Sequence, residues 1–249
     1  MIIALSFGIL GAIVGSFVGV IAERLNTGQS FVSGRSRCNS CARFLGPADL
    51  IPIVSWVFSK GKCRTCKARV PVSYAVLELS LGVLFALSYL KLGLGIALVL
   101  ALGSLSVLAL IVVYDLRHTI VPPVASLLLF ICSLAYVLVS SKDIQQLGIS
   151  LMIAGAIGAG FFLLHVCSGG RAMGLGDAPI ALSLSLLCAP YAFSGLLFSF
   201  WIGALCGIGI LALRRGGPKM GIEVPFVPFL ALGFLLAYFT QWNPLLLYL

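Results

Sequence analysis

Charged side chains are scarce in this chain, and acidic ones are the scarcest. Only 9% of the 249 residues are charged, and Asp and Glu together number seven. A soluble domain of this length carries roughly a quarter charged residues, because its surface must be hydrated. So little charge excludes an ordinary soluble fold. With 61% hydrophobic residues, the composition predicts a protein whose solvent is lipid.

The chain also lacks the marks of a cleaved secretory signal. Its N-terminus is apolar, but no basic residues precede the apolar run and no small-residue cleavage site follows it. A signal peptide has both features. We therefore expect residues 2–22 to be a retained membrane span. No internal repeat or low-complexity tract stands out elsewhere.

Eight apolar stretches are candidates to cross a bilayer, which takes about 20 helical residues. The sixth stretch is short. We expect an all-α polytopic membrane protein with about eight transmembrane helices and a polar loop between the first two. The expected division is a first helix at 1–22, a loop at 23–71 and a seven-helix membrane core at 72–249. The stretches are 2–22, 73–92, 94–114, 122–140, 147–167, 178–190, 191–213 and 225–241.

The basic residues are concentrated in one loop. Nine of the sixteen Lys and Arg residues lie between Arg24 and Arg69, and the net charge is +9. In a membrane protein, an excess of Lys and Arg in one loop indicates on which side of the membrane that loop lies. Since this accounts for the positive charge, we expect no nucleic-acid partner. Loops after the odd-numbered spans carry fourteen Lys and Arg against two on the other side, and the fourteen include Arg214, Arg215 and Lys219. The odd loops are therefore expected in the cytoplasm, with both termini outside.

The polar loop contains two matched cysteine pairs. Cys38-Asn-Ser-Cys41 and Cys63-Arg-Thr-Cys66 are separated by 21 residues. Two such knuckles can present four thiolates to one tetrahedral ion, which is the pattern of a structural zinc ribbon. A reducing cytoplasm disfavours disulfides, and a redox motif needs only one pair. The loop is predicted to bind zinc, which would supply its folding free energy.

Two aspartates are expected at the same membrane face. Asp115 ends the third span and Asp177 precedes the sixth, in Gly174-Leu175-Gly176-Asp177. Two carboxylates that meet share a proton, so that one can activate water while the other protonates a carbonyl. The glycines Gly174 and Gly176 allow close backbone approach. The pattern indicates a candidate site for acid–base chemistry on a carbonyl.

The other acidic residues carry weaker signals. Glu78 falls inside the second span, where a carboxylate is costly unless it is functional or paired with a basic residue, and both alternatives are open. Glu23, Asp49 and Asp143 lie in or beside polar loops, as does Glu223, and solvated charges are expected there.

Two other classes of function compete with a peptidase. A proton-coupled transporter would use intramembrane glycines and Glu78, but it places ionisable groups near the bilayer midplane. A non-catalytic assembly component would use the cysteine loop for docking, and it would have no need of two aspartates.

An ordered set of motifs resembles the type IV prepilin peptidases, bacterial membrane enzymes of the GxGD aspartyl type. The similarity runs from the first span to the last. It is carried by Gly15-Ser16-Phe17, Arg24-Leu25, the two cysteine pairs, Ile51-Pro52-Ile53-Val54-Ser55-Trp56, Gly61-Lys62-Cys63-Arg64, Arg69, Tyr74, Leu77-Glu78-Leu79, Asp115, Gly174-Leu175-Gly176-Asp177 and Val224-Pro225-Phe226-Val227-Pro228-Phe229.

The resemblance implies a substrate and a second activity. Asp115 and Asp177 would cleave the basic leader from prepilins or pseudopilins of type IV pili or type II secretion at the bacterial inner membrane. The same enzyme would then methylate the new N-terminal amine with S-adenosylmethionine. Glu78, Glu23 and Arg24 are candidates for the methylation or substrate site.

The chain departs from the family pattern at several positions. Gly19 stands where Asn is usual, and Glu23 where an aromatic residue or His is usual. Val121-Pro122-Pro123 replaces an Ile-Pro-Asp, and Pro179 replaces a Lys. None of these changes removes a catalytic carboxylate. Those in the first span lie in the region associated with methylation, which is nevertheless expected to be retained.

Overall fold

A computed structural model describes residues 1–30, 32–171, 173–213 and 225–242. These residues form nine α-helices and, apart from two isolated β-bridges, no β-structure. The Arg214, Arg215 and Lys219 of the orientation count lie outside the described residues, as do Glu223 and Val224. The helices are α1 (Ile2–Arg24), α2 (Val54–Phe58), α3 (Val72–Leu92), α4 (Ile96–His118), α5 (Pro123–Ser140), α6 (Ile144–Ser168), α7 (Asp177–Leu187), α8 (Ala192–Leu213) and α9 (Val227–Thr240).

The all-helical membrane fold predicted from composition is confirmed. Each of the eight apolar stretches contains a helix, and six of these are long and apolar enough to cross a bilayer. The helices of the sixth and eighth stretches, α7 and α9, are shorter, at 11 and 14 residues. A helix satisfies its backbone hydrogen bonds internally, which is why apolar segments in lipid adopt it. The extra helix, α2, lies in the polar loop.

The described chain separates into two compact units, Met1–Leu94 and Gly95–Leu249. In the first unit α1 packs against α3, through glycines spaced four apart. A Cβ at Gly11 would lie 2.4 Å from the Leu81 carbonyl oxygen, and one at Gly15 would lie 2.9 Å from Glu78 Cα. Small residues at this spacing let two helix backbones approach closely. Helix α3, which we had grouped with the membrane core, thus belongs to the first unit.

Helix α7 lies at the centre of the second unit. It contacts α5, α6, α8 and α9, and nine of its eleven residues are buried. Ile180 and Leu184 fill the core around it, together with Leu129 of α5 and Leu230 of α9. Its surroundings are therefore other helices on nearly every side. The first residue of this enclosed helix is Asp177.

Candidate active site and cysteine cluster

Asp115 lies in the last turn of α4 and is 5% exposed. The backbone N–H of Val227 acts electrostatically on its carboxylate. Val227 is the first residue of α9, where helix N–H groups have no partner within the helix. The Oδ2 atom of Asp115 is buried and has no hydrogen-bond partner among the described residues. The Asp115 carboxylate is therefore buried beside the start of α9.

Asp177 is the first residue of α7 and is 8% exposed. Its carboxylate accepts a hydrogen bond from the Gly174 N–H, and its own N–H donates to the Gly174 carbonyl at 3.3 Å. A Cβ at Gly176 would lie 2.9 Å from Cβ of Val121, in the connection that follows α4. The glycine thus allows the turn before Asp177 to lie directly against the segment after Asp115.

The two carboxylates belong to the same unit and interact. The charge of Asp115 acts on Asp177, and both α4 and α7 pack against α5 and α9. Like charges on two buried carboxylates disfavour double ionisation, so such a pair favours the state with one shared proton. This is the electrostatic state that aspartic peptidases use. The tertiary structure places together two residues that are 62 positions apart in sequence.

A third contact near the site was missed by sequence reasoning. The His165 Nδ1–H donates to the Met173 carbonyl oxygen at 2.9 Å, one residue before Gly174. The chain reverses after α6 through Gly169 and Gly170, whose φ angles are +59° and +77°. His165 therefore anchors the turn that carries Asp177. A lone histidine in the last turn of an apolar helix gave no signal of this contact.

The four cysteines of the loop form one cluster. Their Sγ atoms all lie within 4.8 Å of one another, and those of Cys38 and Cys66 are 3.8 Å apart. Zn–S bonds of about 2.3 Å in a tetrahedron place the sulfurs about 3.8 Å apart. The cluster therefore fits one tetrahedral metal ion.

The two knuckles repeat the same backbone pattern. The N–H of Cys38 bonds the Arg43 carbonyl, and the N–H of Cys63 bonds the Ala68 carbonyl, both at 2.9 Å. Each bond is flanked by an antiparallel bridge, Arg37–Phe44 in the first knuckle and Lys62–Arg69 in the second. The matched cysteine pairs of the sequence thus fold into matched backbone turns.

Backbone N–H groups in each knuckle stabilise the thiolate form. Those of Cys66 and Thr65 lower the pKa of Cys63 to about 6. Those of Cys41 and Ser40 lower the pKa of Cys38. The thiolate is the form that binds metal. Against a lowering by the Ala68 backbone, desolvation and the other three cysteines raise the pKa of Cys66 to about 11. The donor set and its spacing are therefore the features that suit zinc.

Two carboxylates, those of Asp49 and Glu78, hold the loop. Asp49 was expected to be solvated, and Glu78 was open between a functional role and a basic partner. Asp49 forms ion pairs with Arg43 at 2.8 Å and Arg64 at 3.0 Å, and these basic residues with the Gly46 N–H lower its pKa against the effect of desolvation. Glu78 is buried, and its Oε2 accepts the Ile53 N–H at 2.6 Å. Its observed partner is therefore a backbone group.

Glu23 and Arg24 lie at the end of α1. The Tyr74 hydroxyl donates to the Glu23 carboxylate, and Arg24 donates to the Ser30 carbonyl at 2.8 Å. Glu23, Glu78, Trp56 and Tyr74 line one cavity of about 240 Å³ between the loop and the ends of α1 and α3. The structure thus brings Glu23 and Glu78 to one site and leaves Arg24 out of its lining.

A buried carboxylate pair in a helical membrane protein is the arrangement expected of a membrane aspartic peptidase. Comparison with known proteins identifies the family. Residues 9–92 match the bacterial peptidase A24 N-terminal domain, and residues 102–211 match the type IV leader peptidase family. The chain belongs to the type IV leader peptidase family.

Curated relatives align with most of the chain. A prepilin leader peptidase/N-methyltransferase of Bacillus subtilis is 34% identical over 92% of this chain and 91% of its own length. The Myxococcus xanthus protein of the same name is 31% identical over 85% of this chain and 64% of its own. The Pseudomonas aeruginosa protein of that name is 28% identical over 90% and 86%. No solved structure matches the chain.

Proposed function

We propose that this chain is a multi-pass inner-membrane aspartic endopeptidase that cleaves the leader from prepilins or pseudopilins, with Asp115 and Asp177 as its catalytic pair. Family membership and the names of its relatives support the activity. The observation that carries the residue assignment is the buried, interacting carboxylate pair, one of whose oxygens has no partner among the described residues.

The chemistry follows from the shared proton. The ionised carboxylate takes a proton from water as the water oxygen attacks the scissile carbonyl carbon, and the protonated carboxyl donates to the carbonyl oxygen. The tetrahedral intermediate then collapses and the C–N bond breaks. The leaving nitrogen takes a proton from the carboxyl that the water had protonated, while the other carboxylate takes back the proton that it gave to the carbonyl oxygen. The N–H groups of Val227 and Gly174, which act electrostatically on the two carboxylates, would hold these side chains in position throughout.

The substrate is proposed to approach from the cytoplasm. The excess of Lys and Arg in the loops after the odd-numbered spans supports a cytoplasmic position for Asp115 and Asp177, with both termini outside. The apolar segment of the prepilin would lie among the spans and bring the scissile bond to the membrane surface. We expect that a soluble peptide lacking this segment is cleaved far more slowly than a full prepilin.

A second activity, N-methylation of the new N-terminus, is proposed for the first unit. The relatives' names support it. S-adenosylmethionine would supply an electrophilic methyl group when bound. The cavity lining combines acidic residues that would face a sulfonium cation, Glu23 and Glu78, with the aromatic Trp56 and Tyr74. It also contains basic residues, Arg37, Arg43, Lys62, Arg64 and Arg69, which would face a carboxylate.

Zinc is proposed to organise the loop that closes this cavity. Cys38, Cys41, Cys63 and Cys66 would hold the ion, and the ion would contribute folding free energy to a segment with little core of its own. Loop residues 23–71 would then serve methylation, while the helices after residue 94 would serve proteolysis.

One experiment tests both activities. The detergent-purified protein is incubated with a prepilin and S-adenosylmethionine, and the products are weighed by mass spectrometry. Loss of the leader with gain of one methyl mass is expected from the wild type. A product that is cleaved but never methylated would contradict the methyltransferase proposal alone, and an intact prepilin would contradict the peptidase proposal.

A further inference from the structure

Helix α2 presents an apolar surface that no described residue covers. Val57 is 58% exposed and Phe58 is 80% exposed, and Val54 beside them is also exposed. Ser55 and Trp56 lie on the other side, where they line the cavity, and the Trp56 Nε1–H donates to the Val70 carbonyl at 3.2 Å. The helix therefore has an inner side bound to the loop and an outer side of bare hydrophobic residues.

The position of α2 along α3 shows what lies outside it. The Ile53 N–H, directly before α2, is bonded to the carboxylate of Glu78. Glu78 is six residues into α3, which corresponds to about 9 Å of helix rise, and its side chain leans back toward the start of the helix. Helix α2 thus begins beside the first turn and a half of a membrane span.

Contacts with α1 also place α2 beside the end of a membrane span. Ser16 and Val20 of α1 line the cavity together with Ser55 and Trp56. Helix α1 ends at Arg24, so Ser16 lies eight residues, or about 12 Å of rise, inside that end. Helix α3 also carries exposed apolar residues at this level, which include Val76 and Leu79.

The residues after α2 are basic. Lys60, Lys62, Arg64 and Lys67 line a shallow cavity of about 450 Å³ that Phe58 borders, and none of its described lining residues is acidic. Arg64 also pairs with Asp49. From Leu25 to Pro71 the chain has eight Lys and Arg and a single acidic residue. Even a zinc-bound four-thiolate cluster, with its charge of −2, would leave this segment clearly positive.

We propose that α2 is an interfacial helix: Val54, Val57 and Phe58 insert at the boundary of the acyl chains, and Lys60, Lys62 and Lys67 bind the phosphates of anionic lipid headgroups. Short amphipathic elements with apolar and basic residues bind membrane surfaces in this way. The inference requires α1 and α3 to be membrane spans, and it goes beyond the proposed enzymatic function. Its consequence is that the bilayer supports the cysteine loop from outside.

The test uses the full chain in nanodiscs that contain lipids with a photoreactive group on the acyl chain. After illumination, mass spectrometry should find lipid adducts on the 54–58 segment as well as on α3. Val32 is the matched control, because it is 82% exposed in the same loop but lies outside α2. Few adducts are expected on its peptide. Phe58→Ser should lower the adduct yield on α2 several-fold, and Val32→Ser should leave it unchanged.

Headgroup binding is measured separately by amine labelling. In phosphatidylcholine containing phosphatidylglycerol, Lys60, Lys62 and Lys67 should be labelled several-fold more slowly than in phosphatidylcholine alone, and high salt should remove the difference. Adducts on α3 without adducts on α2 would overturn the interfacial helix. Equal labelling in the two lipids would overturn headgroup binding, and protection that appears only on adding prepilin would assign this surface to a protein partner instead.

Discussion

Gly176→Ala should impair cleavage strongly although the backbone at this residue accepts any side chain. Its φ and ψ are −65° and −22°, which is ordinary right-handed geometry. The added Cβ would lie 2.9 Å from Cβ and 3.0 Å from Cγ2 of Val121. Ordinary contacts between such carbons are about 3.5–4.0 Å, so the two segments must separate by up to about 1 Å.

The size of the effect follows from that displacement. Gly176 precedes Asp177, so the shift passes to the carboxylate. A misplacement of about 1 Å costs on the order of 100-fold in rate, which is about 2.7 kcal/mol of barrier. Overpacking of this kind also destabilises a fold by about 1–3 kcal/mol. We therefore expect kcat for leader cleavage to fall about 100-fold while the protein still folds.

Gly174→Ala is the matched control. Its Cβ would lie 3.5 Å from the Asp177 Oδ2, which is an ordinary contact, so activity should change only a few-fold. The assay is steady-state cleavage of a prepilin in detergent, with thermal unfolding measured alongside. Val121→Gly combined with Gly176→Ala should recover most of the lost rate, because it removes the opposing side chain. Equal losses in the two alanine variants, or no recovery in the double variant, would refute the steric argument.

Three further predictions test the two sites. Asp115→Asn and Asp177→Asn should each lower cleavage at least 1,000-fold (an order-of-magnitude expectation for a catalytic dyad) with unchanged thermal stability; near-normal cleavage by either would contradict the pair. Metal analysis should find about one zinc per chain, and Cys63→Ser should lose it and make the loop protease-sensitive; freely titrating thiols in the wild type would contradict this. Val227→Pro, which removes the N–H to Asp115, should lower kcat about 10-fold with little change in KM, a loss of roughly one hydrogen bond to a charged group, whereas Val227→Ala keeps the donor and should not.

The sequence was sufficient for the features that depend on local composition and spacing. Apolar stretches near 20 residues predict helices because a backbone in lipid must bond within itself. Two C-x-x-C pairs predict a shared metal site because each knuckle needs only its own few residues to place two sulfurs. The positions of Asp115 and Asp177 at helix ends could also be read directly from where the apolar runs stop.

Other features depended on which segments meet. Glu78 was open between a functional role and a basic partner, and its observed partner is the Ile53 N–H, a backbone group that no side-chain pattern reveals. Asp49 looked like a solvated charge until the fold of the loop placed it between Arg43 and Arg64. Helix α3 was included in the expected seven-helix core at 72–249, whereas its packing against the glycines of α1 places it in the first unit.

The candidate active site combines both kinds of information. The sequence by itself determined that two carboxylates lie at helix ends and that glycines precede one of them. Only the tertiary structure decided that α4 and α7 pack around common neighbours so that the charges interact, that Gly176 is the glycine in close contact, and that Val227 and His165 hold the site. The physical reason is that helix propensity and hydropathy act over a few turns, whereas these contacts join residues far apart in the chain through packing and backbone hydrogen bonds that leave no periodic pattern.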